Sequence, residues 1–219
     1  MNRLLPAAVM GAAAIAAGAL FLNRAPGLTD LVPAASAQEA APSGLSTAEM
    51  AIGEESAPLT IYEYASYTCP HCADFHENVF PQMKADYIDT GKVRFVYREV
   101  YFDRPALWAS LVARCGGEAK FFGITDMIFE QQGDWAREQT GEGIADKLRR
   151  IGLMAGIDSD QLNACLTDAD TAQALVARFE EQAAEDNITG TPTFVIDGET
   201  VPNQSYENLK SIIDAALEG

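Results

Sequence analysis

The sequence predicts an α/β fold interrupted by an inserted helical subdomain, on three observations. A compact strand-like run at Leu59 to Ser66 passes at once into a helical stripe and then into a second strand. From about Pro105 to Asn187, helical patterns follow one another with almost no strand signal. Strand signals return only at Thr191 to Val201, before a closing helix. A chain of 219 residues can bury a core of its own without a framework of disulfides, so its four cysteines need a chemical or a bracing role.

The chain opens on what reads as an address. After Asn2-Arg3 comes an apolar run, Leu4 to Leu22, and small residues at Ala35 and Ala37 then form an A-x-A cleavage pattern before Gln38. Residues 1–37 are therefore expected to be a signal peptide. Ala37 lies far beyond the apolar run, and that run is long enough to span a bilayer if it is never cut, so a membrane anchor is the alternative. Either way the remainder faces an oxidising compartment. Residues 38–58, rich in Ala, Ser, Glu and Gly, lead into the fold, and Met50-Ala51-Ile52 could add a strand.

"LTIYEYAS", Leu59 to Ser66, carries the β-branched and aromatic residues of a core strand. Cys72, Phe75, Val79, Met83 and Tyr87 then recur at helical spacing and end before Gly91, with a kink expected at Pro81. "KVRFVYREV", Lys92 to Val100, alternates as a second strand, giving a right-handed βαβ crossover. Helices are expected at Pro105 to Cys115, Glu118 to Gln132, Gly143 to Ala155, Ser159 to Leu166 and Thr171 to Glu185. Gly116-Gly117, Gly133 and Gly156 punctuate them. Asp197-Gly198 between short strand-like runs signals a hairpin, and Tyr206 to Leu217 closes the chain as a helix. Residues 59–104 and 188–219 thus form the α/β frame and 105–187 the helical insertion.

The formal charge of −17 is spread along the chain, which speaks against nucleic acid as a partner and for a soluble acidic surface. The chemistry concentrates instead in "CPHC". With Cys69 at the cap of a helix, Pro70 occupies the first helical position, where its missing N–H costs nothing. The backbone N–H groups of His71 and Cys72 and the positive helix end then favour a thiolate on Cys69, and the His71 ring can add a further positive or hydrogen-bonding neighbour. Cys72, one turn on, is shielded and close enough to form a disulfide with Cys69 or to attack a mixed disulfide. An inert disulfide gives no reason for this placement. Zinc would need more ligands than the motif supplies, so no metal is expected.

Glu63 shares a strand face with Leu59, Ile61 and Ala65, which puts a carboxylate on an apolar face beneath the cysteines. Desolvation favours its neutral form, suited to relaying a proton to or from Cys72; a carboxylate satisfied by backbone or water is the plainer alternative. Pro192 opens a strand where its missing N–H forbids ordinary pairing. A cis bond is the rarer isomer, about 5% of X–Pro bonds, and the residues alone do not call for it. His76, near the packing face of the first helix, reads as structural. Trp108 and Trp135 read as core of the insertion.

"YEYASYTCPHCADFH" and "GTPTFVIDG", with helices between them, resemble the bacterial periplasmic thiol–disulfide oxidoreductases of the DsbA type, within the thioredoxin fold. The resemblance covers nearly all of Leu59 to Gly219. It implies that Cys69 is the attacking or attacked sulfur and Cys72 the resolving one. It also implies that Pro70-His71 is the dipeptide of strongly oxidising members, that Glu63 is the family's buried acid, and that Pro192 is its cis-proline, with Thr191 beside the substrate backbone. The expected activity is donation of the Cys69–Cys72 disulfide to reduced or unfolded exported proteins in the periplasm, by a monomer with no cofactor beyond that disulfide. A quinone-linked membrane partner of the DsbB type would reoxidise it.

Thr191 also resembles the isomerases. Only some twenty residues separate Gln38 from the first core strand, an interval expected to leave no room for the dimerisation domain that isomerases carry. An isomerase, a reductase, or a thiol-bearing chaperone or metal-binding protein are the alternative readings. Cys115 and Cys165 fall in the helical insertion, and a bridge between them closes a loop of about 51 residues, worth roughly 4 kcal/mol in the chain-entropy model. A structural bridge is the favoured reading, with a second redox couple or free thiols as alternatives, and some DsbA-like proteins do carry a second disulfide there.

Overall fold

The computed structural model describes residues 45–219, so the expected signal segment, residues 1–37, and the first part of the leader lie outside the described residues. Five strands form one sheet in the order β1-β3-β2-β4-β5. They are β1 (Met50–Ile52), β2 (Leu59–Ala65), β3 (Val93–Glu99), β4 (Thr193–Ile196) and β5 (Glu199–Pro202). β2 and β3 pair in parallel, the outcome of the βαβ crossover, and β1, β4 and β5 are antiparallel to their neighbours. Asp197 and Gly198 both have positive φ, 49° and 79°, as a two-residue hairpin between β4 and β5 requires.

The first helix departs from the expected single kinked rod. α1 (Pro70–Asn78) stops before Val79, and α2 (Phe80–Met83) restarts with Pro81 in its first turn, where no N–H is needed. A π-helical turn, Lys84–Ile88, follows, with Asp89 N donating to Lys84 O. Breaking ahead of the proline avoids the clash its ring would make with the preceding turn.

Six helices lie between β3 and β4: α3 (Arg104–Cys115), α4 (Glu118–Glu130), α5 (Gln132–Trp135), α6 (Gly141–Met154), α7 (Ser159–Leu166) and α8 (Ala169–Glu185). Side-chain caps set where most of them start. Asp103, Thr140, Asp158 and Asp168 accept from the N–H groups of Ala106, Gly143, Gln161 and Thr171. Hence α6 and α8 each begin two residues earlier than periodicity suggests, at the residue after the cap. Gly133, expected as punctuation, lies inside the short α5. α9 (Tyr206–Glu218), capped by Ser205, closes the chain.

The core is built in layers around the sheet. On one face, Phe75, Phe80, Met83 and Tyr87 from the α1–α2 region join Leu209 and Ile213 of α9 against Ile61, Phe95 and Phe194. On the other, Tyr64 and Val195 meet Phe179 of α8. The largest cluster fills the helical region and runs without a break to Tyr67, Tyr97 and Cys72. Trp135 is fully buried there with its Nε1 donating to Ile128 O, while Trp108 is half-buried at the edge. Among the described residues no helix is long and apolar enough to cross a membrane.

One buried ion pair fastens the helices to the sheet. Arg114 of α3 grips Glu99 at the end of β3 through Nε (2.6 Å) and Nη2 (2.8 Å), and its Nη1 donates to the carbonyls of Ser46 and Ala48. Beside it, Cys115 and Cys165 form a disulfide between α3 and α7.

Candidate active site

Cys69 caps α1 with extended backbone angles, φ −82° and ψ 119°, and Pro70 begins the helix. The chain turns there because Ser66 O accepts from Cys69 N, and Cys69 O then accepts from both Cys72 N and Ala73 N. The result separates the two thiols by environment. Cys69 is half-buried at the protein surface, and Cys72 has no solvent exposure.

The Cys69 thiol is pulled down to about 5. The hydrogen bond from the Cys72 thiol contributes most and partial burial opposes it, while the backbone N–H groups of Cys72 and His71 add to the lowering. Cys72 is pushed far upward, chiefly by burial, then by its hydrogen bond to Cys69 and by the nearby charge of Glu63. One sulfur is thus a ready nucleophile and leaving group, and the other holds its proton. The His71 side chain is exposed, and its help to the thiolate comes through its backbone N–H rather than its ring.

Thr191 and Pro192 reach the same corner from the segment just before β4, the strand paired with β2. Their peptide bond is cis, the isomer the resemblance implies and the residues alone leave uncalled for. Thr191 O lies 3.5 Å from Cys69 Sγ, so the loop before β4 forms one wall of the surroundings of that sulfur.

Glu63 sits in the middle of β2, between Tyr97 of β3 and Phe194 of β4, with no solvent exposure. The sequence leaves the partner of Glu63 open and marks His76 as structural. In the structure His76 Nε2 lies 2.8 Å from Glu63 Oε2, and both side chains are buried. The ring of His76 stacks on Phe129 at 4.4 Å. A second unforeseen residue is Gln132, whose Nε2 donates to Tyr67 O (2.8 Å) and to Cys69 O (2.9 Å). Tyr67 OH and Thr125 Oγ1 of α4 add a buried hydrogen bond. No local signal marks either residue, because His76 meets Glu63, and Gln132 meets the motif, only through the tertiary fold. Among the described residues no cluster of three or more His, Cys, Asp or Glu side chains is placed to hold a metal ion.

A protein-family profile described as thioredoxin matches residues 45–215. Over 171 residues the chain is 33% identical to a candidate protein-disulfide oxidoreductase of Rickettsia bellii, covering 78% of this chain and 65% of that protein. The chain therefore spans slightly less than two thirds of that relative's length. Among solved structures, Wolbachia pipientis alpha-DsbA1 is 26% identical with a TM-score of 0.73, over 79% of this chain and 92% of that one. A Novosphingobium aromaticivorans protein named as a protein-disulfide isomerase is also 26% identical, with a TM-score of 0.70 over 78% of this chain and 98% of that one.

Proposed function

The chain belongs to the DsbA-like branch of the thioredoxin superfamily, and we propose that it is an exported thiol–disulfide oxidoreductase that oxidises reduced proteins. A substrate thiolate attacks Cys69 and forms a mixed disulfide, with Cys72 as the leaving sulfur. A second substrate thiolate attacks the substrate sulfur of that bond, leaving the substrate oxidised and the enzyme as Cys69 thiolate and Cys72 thiol. In this reading residues 1–37 direct export to the periplasm, residues 59–104 and 188–219 form the reacting frame, and 105–187 form the insertion that covers it. Reoxidation falls to a quinone-linked membrane partner of the DsbB type.

One observation carries the reading: at a helix N-terminus, the half-exposed Cys69 lies against Thr191 O, while its partner Cys72 is sealed beneath it. That asymmetry favours Cys69 as the sulfur that meets a substrate, and stabilising its thiolate favours the reduced enzyme, which makes the disulfide oxidising. Thr191 and the likeness to the protein named as an isomerase favour a second reading, disulfide isomerase, on the same sulfurs.

Equilibrating the Cys69–Cys72 couple with glutathione buffers separates the two readings. A couple more oxidising than glutathione, together with reactivation of a reduced secreted test protein, is the expected result. Efficient rescue of a scrambled protein with poor oxidation of a reduced one replaces oxidase by isomerase. C69A should abolish exchange of either kind.

A further inference from the structure

We propose that Asp103 is a positioning residue for the reacting turn, holding Cys69 over the start of α1 through the hydroxyl of Thr68. The inference deepens the thiol–disulfide exchange proposed above and rests on that reading. β2 lies between β3 and β4 in the sheet, so the segment that leaves β2 and carries Cys69 has a neighbour on each side. On the β4 side stands Thr191, whose carbonyl oxygen is 3.5 Å from Cys69 Sγ. On the β3 side stands Asp103, whose Oδ2 accepts from Thr68 Oγ1 at 2.9 Å. Thr68 is the residue just before Cys69.

Each oxygen of Asp103 has one task. Oδ1 accepts from Ala106 N at 2.8 Å and caps α3, which fixes the carboxylate and turns Oδ2 to Thr68. An ionised carboxylate only accepts, so Thr68 is the donor of this bond. With its single proton committed there, Thr68 Oγ1 accepts from Ser66 Oγ, 3.2 Å away. The hydroxyls thus form a chain with one direction, from fully buried Ser66 through Thr68 to exposed Asp103.

Ser66 meets both cysteines. Its backbone N–H donates to the Cys72 sulfur, and its carbonyl oxygen accepts from Cys69 N at 3.0 Å. Gln132 holds the carbonyls of Tyr67 and Cys69, so the side chain of Thr68, between them, is the remaining point at which the turn is gripped. The backbone N–H groups of His71 and Cys72 favour the Cys69 thiolate only while the sulfur stays over them. Both sulfurs are free thiols here, so the contact belongs to the reduced form, whose stability makes the couple oxidising. A side chain needed only to start α3 would use one oxygen, and Asp103 uses both. The helical insertion therefore grips the turn at two places, at its first residue boundary through Asp103 and further on through Gln132.

The test reads the Cys69 thiolate by ultraviolet absorbance in the full protein, with Cys115–Cys165 intact, for wild type, T68V, T68S, D103S and T68V/D103S. The titrations are run in about 1 M salt, where screening acts within about 3 Å, so that loss of the exposed Asp103 charge does not enter. In D103S the shorter side chain still caps α3 and its one oxygen is engaged there, which leaves Thr68 without its acceptor. T68V should weaken thiolate formation about three- to tenfold, the span of one lost hydrogen bond, and shift the equilibrium of the couple with glutathione toward the disulfide by a like factor. D103S should do the same, T68V/D103S should do no more than either alone, and T68S, which keeps the hydroxyl, should restore both readouts. Titrations that stay at the wild-type position in T68V and D103S, whatever their melting temperatures, would overturn the proposal. Shifts that add in the double variant would overturn it too, since the two residues would then act separately. Failure of the wild type to exchange disulfides would instead remove the reaction proposed above, and the titrations would still decide the role of Asp103.

Discussion

Gln132 Nε2 donates to the carbonyl oxygen of Cys69 at 2.9 Å, so a residue of the helical region holds the backbone of the proposed nucleophile. The same amide donates to Tyr67 O at 2.8 Å, and Tyr67 OH is fixed to Thr125 of α4. The turn that presents Cys69 is therefore clamped from above as well as capped from below. The insertion positions the reacting turn, which makes it more than a decoration of the sheet.

Replacing Gln132 by Leu should destabilise the protein by about 1–3 kcal/mol, because it strips the side-chain donor from the buried carbonyl of Tyr67, while Cys69 O keeps its two backbone donors. It should also loosen the turn and raise the Cys69 thiol from its value near 5. Denaturant melts and absorbance titration of the thiolate measure the two effects separately. A variant that loses stability with the thiolate titration unmoved would show the clamp to be structural only.

Arg114→Met should cost about 3–5 kcal/mol, since it leaves Glu99 buried without its partner. Replacing both residues by apolar ones, Arg114→Met with Glu99→Leu, should recover much of the loss. A double-mutant cycle by chemical denaturation checks this, and additive losses would mean that the pair is not coupled.

Removing the second disulfide with C115A/C165A should lower stability by up to about 4 kcal/mol, the chain-entropy value for a loop of this size. Oxidation of a reduced test protein should persist at temperatures where the variant is folded. Loss of oxidation with an unchanged melting temperature would give Cys115 and Cys165 a redox role.

The legible part of this chain is what depends on local rules. The strand at Leu59, the proline-started helix, the Asp197-Gly198 hairpin and the run of insertion helices all follow from periodicity, turn chemistry and capping. Boundaries shifted where a cap residue rather than the apolar stripe decided the start, as at Thr140 and Asp168. The asymmetry of Cys69 and Cys72 was readable for the same reason, since a helix N-terminus favours one sulfur locally. The Glu63–His76 pair, the Gln132 clamp and the Arg114–Glu99 bridge were not, because each joins residues on different elements. One strand face announced a buried carboxylate, but nothing in its neighbourhood could name the imidazole that meets it.

Stability of the reduced protein, measured against the oxidised one, should rise with pH between about 5 and 8.5. In the reduced form Cys69 is held near 5 in the folded state, against about 8.5 in the unfolded chain. A depressed folded value gives stability that is complete above about 8.5 and disappears as pH falls through about 5. The contribution at pH 7 is about 1–2 kcal/mol once the half-exposed sulfur is discounted for solvent screening. Cys72 acts with the opposite sign: its raised folded value gives stability that is full below about 8.5 and is lost at higher pH, so the rise should level off and reverse there. In the oxidised form neither sulfur titrates, and its short loop adds a term of about 2 kcal/mol that does not depend on pH. The informative quantity is therefore the slope of the difference between the two forms. Urea melts of both, with Cys115–Cys165 intact in each, supply it. A difference that stays flat from about pH 5 to 8 would mean that no stabilised thiolate sits on Cys69, and the oxidising character proposed for the couple would lose its physical basis.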